Sequence, residues 1–379
     1  MAKARNRKRK RRKFHTVKYF DYSLLFFLFL LLGVGYVMLY STSAYSATLS
    51  YGDSAHYLIR QLVASMLGFG MLFFFSFTDY HFLKKCAFGL YVISFVLCTY
   101  VQFFGKTINN QSRWIRLGPF SFQPSELAKV AIIICLAKII SEHQEIFRDD
   151  WKMVKVLAFI MVPIGGIVVV NNLSTALILA GIAFIMAFIA NPNYKIFGGI
   201  LGVGAIGVLI MMVLPGMSYR FERISIWLHP EESDKGYQTL QGLYAIGSGG
   251  LFGKGLGEST QKLGFVPEAQ NDMIFSIICE ELGLFGAICI ITLYLLLLWR
   301  CMMIALQAKD KFGSFLVIGV MVHIALQVCM NIAVVTNSMP NTGVTLPFIS
   351  YGGSSIAILI GEIGIVLSVS RSMKYNDEE

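Results

Sequence analysis

Ten stretches of this chain each run for roughly 20 residues of nearly unbroken apolar sequence, the length at which an α-helix crosses a hydrocarbon core. They cover about 20–43, 57–77, 84–104, 124–140, 152–170, 172–190, 196–214, 272–298, 312–335 and 348–369. Such a pattern leaves little choice of fold. The expectation is an all-α membrane protein of about ten transmembrane helices. Composition agrees, because 56% of the residues are hydrophobic and only 14% charged. Soluble domains run nearer 45–50% apolar and about 25% charged. A mean hydropathy of +0.65 excludes an ordinary soluble enzyme.

The net charge of +10 is concentrated at one end. Lys3, Arg5, Arg7, Lys8, Arg9, Lys10, Arg11, Arg12 and Lys13 supply nearly all of it. A basic tail can be a nucleic-acid arm or a cytoplasmic segment held by anionic lipid. An apolar run begins a few residues later, which favours the membrane and no nucleic acid. The run 20–40 is too long for the core of a signal peptide, about 7–15 residues. Keeping this tail inside places Lys84, Lys85, Lys195, the stretch 300–311, Arg371 and Lys374 inside as well. The loops 44–56 and 336–347 lack Lys and Arg and fall outside. The reading is thus a cytoplasmic tail 1–19, a membrane domain 20–370 and a cytoplasmic tail 371–379. Within the domain, 215–271 is one large extracellular loop, far beyond the usual ~12–15 residues. Its aromatic and glycine content points to short interfacial helices joined by turns.

Ionisable residues at the ends of or inside apolar runs are costly and mark functional sites. One cluster runs from Arg113-Trp114-Ile115-Arg116 into Gln123-Pro124-Ser125-Glu126, with Lys129 three residues on. Trp114 with its arginines suits an aromatic belt. Pro124, Ser125 and Glu126 suit a helix start. Lys129, a turn deeper and on the face of Glu126, has no such explanation. It pairs with Glu126 or binds an anion such as a pyrophosphate. The second cluster is Pro267-Glu268-Ala269-Gln270-Asn271-Asp272, followed by Glu280-Glu281 inside an apolar run. An N-cap role would account for Asp272 alone. Glu362 is a further intramembrane acid expected to be paired. Before it, Ser350-Tyr351-Gly352-Gly353-Ser354 offers either close helix approach or backbone N–H groups for an anion.

Several classes drop out. The glycine run 247–257 lacks the Lys-Ser/Thr ending of a phosphate loop and no strand precedes it. The seven cysteines contain no CxxC pair and read as small buried hydrophobes. No Ser-His-Asp set or HExxH motif is present, and the six histidines show no ligand spacing.

Taken in order, these blocks resemble the SEDS family (shape, elongation, division and sporulation) over about residues 20–370. Gly236-Tyr237-Gln238 and Gly255-Leu256-Gly257-Glu258-Ser259 lean towards its division-type and sporulation-type members. The resemblance implies a peptidoglycan glycosyltransferase that polymerises lipid II at the outer face of the bacterial cytoplasmic membrane, at the division septum. It implies Asp272 as the catalytic acid. Arg113, Trp114, Arg116, Gln123, Ser125, Glu126, Lys129, Glu268, Ser350 and Tyr351 are its expected substrate-binding residues. It also implies a class B penicillin-binding protein and other division-complex membrane proteins as partners. No cofactor is evident; a divalent cation, Mg2+ or Mn2+, bridging the pyrophosphate and Asp272 or Glu268 is compatible with this chemistry. Asn171-Asn172 stands where many members carry Pro-Asp, so no acid is available at position 172. The competing classes are a lipid II flippase, which needs a site near the midplane, and a non-catalytic division scaffold, which would tolerate neutralisation of Asp272 and Lys129.

Overall fold

The chain builds its helices from apolar runs punctuated by short polar caps. In the computed structural model, residues 20–108, 111–117, 120–213, 224–233 and 236–373 are described. The basic tail 1–19, Asn109, Asn110 and the loop stretch with Tyr219 lie outside them. The first helices are α1 (Tyr22–Tyr51), α2 (His56–Phe77) and α3 (His81–Phe104). Next come α4 (Pro124–Glu142), the short α5 (Gln144–Arg148), α6 (Asp150–Asn171), α7 (Leu173–Ala190) and α8 (Tyr194–Val213). After the long loop's α9 (Tyr237–Gly249) follow α10 (Ile274–Gln307), α11 (Lys311–Val335) and α12 (Gly353–Ser370). Asp21, Asp149, Asn172 and Asp310 accept first-turn N–H groups of α1, α6, α7 and α11, satisfying donors that helices leave open. Eight of these helices are long and apolar enough to cross a membrane: α1, α2, α3, α6, α7, α10, α11 and α12. The 19-residue α4 and the 20-residue α8 are helices at two further expected positions, but they are not among those eight.

The structure corrects the sequence reading in four places. The stretch around Arg113 and Trp114, read as a plain loop, is a small antiparallel sheet: β1 (Lys106–Ile108), β2 (Gln111–Leu117) and β3 (Phe120–Phe122) in the order β1-β2-β3. Lys106 pairs with Trp114, and Ile115 with Phe122. The alternation Ile115, Leu117 against Trp114, Arg116 is the period-two signal, too short to stand out beside the long apolar runs. The final span starts at Gly353 rather than 348, because residues 346–352 turn with Phe348 at φ +65°. The span from 272 runs on to Gln307 and breaks at Gly283, whose φ of 68° and ψ of −168° no helix accommodates. The cysteines are not all buried: Cys98, Cys135, Cys279 and Cys301 are, but Cys289 and Cys329 face outwards, where a small apolar thiol suits lipid.

The break in α10 receives the long loop. Leu284 N–H and Phe285 N–H donate to the carbonyls of Gly250 and Leu251, while Lys254 N–H and Gly255 N–H donate to those of Glu280 and Glu281. Backbone groups freed by the break are thereby satisfied, as a lipid-embedded chain requires. A Cβ on Gly283 would lie 2.3 Å from Gly253 N, so this docking needs glycine.

The bundle has two polar ends. Asp310 accepts from Tyr80 Oη at 2.9 Å and pairs with His81 Nε2 at 2.7 Å at one end. The sheet, the long loop and Asp272 gather at the other, the site end. Between them α12 packs on α2 through small residues. A Cβ on Gly364 would lie 2.6 Å from Leu72 Cα, and one on Gly68 3.0 Å from Ala357 Cα. Replacing Gly364 with Val is expected to cost about 1–3 kcal/mol by overpacking and to lower the thermal midpoint of the purified protein. Gly70→Ala, where an added Cβ meets nothing within 4 Å, is expected to leave it unchanged.

Candidate active site

The site end collects most of the residues singled out from the sequence. Pro124 occupies the first turn of α4 with Glu126 behind it, as a proline-led helix start favours. Glu126 Oε1 then meets Lys129 Nζ at 2.8 Å, and both side chains are almost wholly buried. Glu126 Oε2 accepts from Ser355 Oγ of α12 at 3.1 Å. Gln123 N–H donates to Ser354 Oγ at 3.2 Å, and Gln123 Nε2 to Ser125 Oγ at 2.9 Å. The start of α4 is thus fastened to the start of α12.

The turn before α12 is held to the long loop and to α2. Tyr351 N–H donates to Gln270 O at 2.9 Å. Gln61 of α2 donates to Ser350 O at 2.9 Å and accepts from Gly352 N–H at 3.1 Å. Ser350 Oγ accepts from Leu346 N–H at 2.8 Å, so its hydroxyl shapes this turn. Tyr351 packs edge-on to Tyr57, and burial raises its phenol above the usual range.

Asp272 stands two residues before α10, outside the helix. It is not an N-cap: that position is Met273, and no side chain caps the helix. Its carbonyl accepts from Asn331 Nδ2 at 2.8 Å, and the same amide donates to Val344 O at 2.8 Å. Its carboxylate meets Gln238 Nε2 at 3.4 Å, the long edge of a hydrogen bond. Gln238 also donates to Pro267 O at 3.2 Å and accepts from Asn341 Nδ2 at 3.1 Å. Asp272 is 9% exposed and forms no ion pair among the described residues. Burial pushes its carboxyl up to about 6, with the nearby Glu268 charge adding to the rise. Glu268 itself is held at φ +50° and accepts from Asn271 Nδ2 at 3.0 Å.

The intramembrane acids behave differently. Glu280 accepts from Lys254 Nζ at 2.6 Å, from Thr260 Oγ1 at 3.1 Å and from Ser259 Oγ. Glu281 meets Lys262 Nζ at 2.8 Å and Ser41 Oγ at 2.7 Å. Glu362 pairs with His323 Nδ1 at 2.9 Å. These carboxylates hold the long loop, α1, α11 and α12 together. Arg113 lines a small cavity of about 30 Å³ with Gln102, Pro124, Ser125 and Asn172. Trp114 sits beside it on β2, and the backbone of Arg116 pairs with Ser121. Among the described residues no group of three or more His, Cys, Asp or Glu could hold a metal ion.

Three residues carry roles the sequence reading did not assign to them. Gln238 and Asn331 hold Asp272, and Ser355 holds Glu126. A signal for Asn331 existed, since His323, Gln327 and Asn331 repeat every four residues along an otherwise apolar helix. Gln238 lies in the Gly236-Tyr237-Gln238 block that carries part of the family resemblance, though nothing in that block points to Asp272, and Ser355 carries no such pattern.

The FtsW/RodA/SpoVE family, described as "Cell cycle protein", matches residues 22–375. Stage V sporulation protein E of Bacillus subtilis (strain 168) is 40% identical over 365 residues, covering 94% of this chain and 98% of its own. A probable peptidoglycan glycosyltransferase FtsW of Trichlorobacter lovleyi is 37% identical over 370 residues, covering 96% of both. A chain from a solved peptidoglycan synthase complex, reported for its coordination of polymerization and crosslinking, superposes with a TM-score of 0.78 at 29% identity. That match covers 94% of this chain and 99% of the other.

Removing one member of a buried ion pair leaves an uncompensated charge, which costs about 3–5 kcal/mol. Glu126→Gln is therefore expected to lower the thermal midpoint sharply, and Glu126→Gln with Lys129→Met to recover much of the loss. Thermal unfolding of the purified variants checks this. Equal loss in both would place the instability in packing rather than in charge.

Proposed function

We infer the chemistry from membership: the chain belongs to the FtsW/RodA/SpoVE family of cell cycle proteins, and it is a multi-pass membrane protein and a peptidoglycan glycosyltransferase. Its substrate is lipid II, polymerised into glycan strands at the outer face of the bacterial cytoplasmic membrane during division. Both termini lie in the cytoplasm and the site end faces outwards. The observation that carries this assignment is Asp272, the one acid of the site that is buried, held in place and left without a cation. A carboxyl raised to about 6 accepts a proton near neutral pH far better than an ordinary one.

Asp272 acts as general base on the acceptor sugar hydroxyl, whose oxygen attacks the anomeric carbon of the donor. The bond to undecaprenyl pyrophosphate breaks, and the leaving group departs with the electron pair. Inversion at carbon needs no covalent intermediate, so a single base suffices. Negative charge grows on the pyrophosphate. Arg113, which lines the cavity at the start of α4, is its proposed direct contact, with Arg116 the second candidate from the sequence. Lys129, buried in the first turns of α4, stabilises that charge as a fixed cation in a low-dielectric setting, where such charges act strongly. Glu126 keeps its ammonium in place. Trp114, Gln123, Ser125, Ser350 and Tyr351 line the approach. Asp272 or Glu268 would hold a divalent cation against the pyrophosphate, and with Asp272 serving as the base that role would fall to Glu268. An apolar groove of about 650 Å³ between α1, Leu58 and loop residues Leu256 to Leu263 suits a lipid tail. A class B penicillin-binding protein supplies the cross-linking, and other division-complex membrane proteins complete the assembly.

Purified protein, incubated with fluorescent lipid II and its cognate penicillin-binding protein, is expected to yield polymer bands. Asp272→Asn is expected to abolish them without lowering the thermal midpoint, since it removes a buried unpaired charge. Glycan strands made by that variant would sink the base assignment. The wild-type rate should fall as pH drops through about 6, because the carboxyl then binds a proton and can no longer accept one. A rate flat down to pH 4 would place the base elsewhere.

A further inference from the structure

Four aromatic rings gather beside the segment that carries Asp272, and only Tyr351 among them has a part in the chemistry so far. α1 ends at Tyr51 and α2 begins at His56, with residues 52–55 as the turn between them. Gly52 closes α1 at φ 72°, a left-handed conformation that suits glycine. Asp53 Oδ1 accepts the Ala55 N–H at 2.9 Å. This tight reversal brings the Tyr51 ring flat against His56, with centroids 3.8 Å apart and planes 8° from parallel. Tyr57 meets Tyr51 edge-on at 5.9 Å and His56 edge-on at 5.7 Å. Its further neighbour is Tyr351, edge-on at 5.0 Å. Stacked and edge-to-face contacts of this kind are the ones that rings favour.

Rings at the end of a membrane helix can be a simple interfacial belt. This cluster differs in being tied to the acid. Tyr351 N–H donates to Gln270 O at 2.9 Å, and the Tyr57 phenol lies within electrostatic reach of Glu268. Gln270 and Glu268 belong to the short stretch that leads directly into Asp272. Gln61, one turn along α2 from Tyr57, bonds to Ser350 O and Gly352 N–H on either side of Tyr351. The cluster is also open. Tyr51 is 53% exposed although His56 covers one of its faces, and His56, Tyr57 and Tyr351 are only partly buried. The exposed Arg60 guanidinium lies beside the Tyr351 phenol. Rigid rings supply apolar faces at little entropic cost, and their phenols supply hydrogen bonds at the rim. A pyranose has the complementary form, a face of C–H groups edged by hydroxyls. A lipid tail would leave the phenols and the guanidinium without partners, and an anion would find the Glu268 charge close by.

We propose that Tyr51, His56, Tyr57 and Tyr351, with Arg60 at their rim, form a saccharide subsite that stacks the acceptor's sugar beside Asp272. A base must meet the acceptor hydroxyl, so the acceptor lies on the side of the acid, and the rings are bound to the acid's own segment. The pyrophosphate lies instead at the start of α4. That the sugar is an acceptor rests on the glycosyltransferase reading; that the rings take a sugar rests on their own geometry.

The test measures binding without turnover. The probe is a lipid-free tetrasaccharide of alternating N-acetylglucosamine and N-acetylmuramic acid, added to the purified full-length protein and read by saturation-transfer NMR. Wild type is expected to bind it, with saturation passing from ring protons to sugar C–H protons. Tyr57→Leu is expected to weaken binding about tenfold, the scale of one lost ring contact, whereas Tyr57→Phe keeps the ring and stays close to wild type. Unchanged affinity in Tyr57→Leu, the result expected of rings that only anchor the chain at the interface, overturns the proposal. So does the absence of binding by wild type at millimolar sugar. Should Tyr57→Leu fail to fold, Tyr51→Leu takes its place with the same two outcomes. Displacement of the sugar by inorganic pyrophosphate would put it on the leaving-group side and overturns the acceptor assignment; indifference to pyrophosphate supports it. Asp272→Asn is expected to bind the probe as wild type does. Should wild type make no polymer, probe binding that falls in Tyr57→Leu still upholds the saccharide subsite, and the failure belongs to the glycosyltransferase reading alone.

Discussion

A carboxylate in the interior of a lipid-embedded bundle survives only with a cation and hydrogen bonds to replace the water it has lost. That constraint organises this structure. Asp21 meets Arg300, Glu126 meets Lys129, Glu280 meets Lys254, Glu281 meets Lys262 and Glu362 meets His323. Most of these pairs join elements far apart in sequence, so each is also a tertiary tie. Asp272 breaks the rule, and its raised carboxyl is the direct consequence. An acid held in position yet denied a cation is suited to accept a proton, whereas its paired neighbours are suited to hold helices.

The geometry of Asp272 depends in turn on the break in α10. Gly283 interrupts the helix about three turns below the acid, and residues 250–255 of the long loop fill the interruption with backbone hydrogen bonds. Lys254 and Lys262 extend from that loop to Glu280 and Glu281 on either side of the docking point. The segment carrying Asp272 is consequently clamped between a docked loop and the Asn331 amide. The candidate site is tied together from distant parts of the chain, with the start of α4 bonded to the start of α12, Tyr351 to Gln270, and Asn331 of α11 to Asp272.

Much of this was legible in one dimension. The ten apolar runs are ten helices, because their length and the absence of water leave no alternative for the backbone. Glu126 and Lys129 could be placed on one face from spacing alone, and Glu280, Glu281 and Glu362 could be recognised as requiring partners. The identity of those partners could not be read. Nothing local in Lys254 or Lys262 announces that it will reach a carboxylate some 20 residues later, and nothing in Ser41 points to Glu281. The sheet was hidden because strands of three to seven residues carry too little periodicity to compete with neighbouring spans.

By itself the sequence determined the class of fold, the family and the intramembrane acids that need partners, since each follows from hydropathy, charge cost and short motifs that do not depend on the rest of the chain. Only the tertiary structure decided which acids are neutralised and which one is not. Apart from the local Glu126–Lys129 pair, that distinction rests on side chains brought together across 19 to 279 residues of chain, and on a desolvation that exists only once the helices have closed around Asp272.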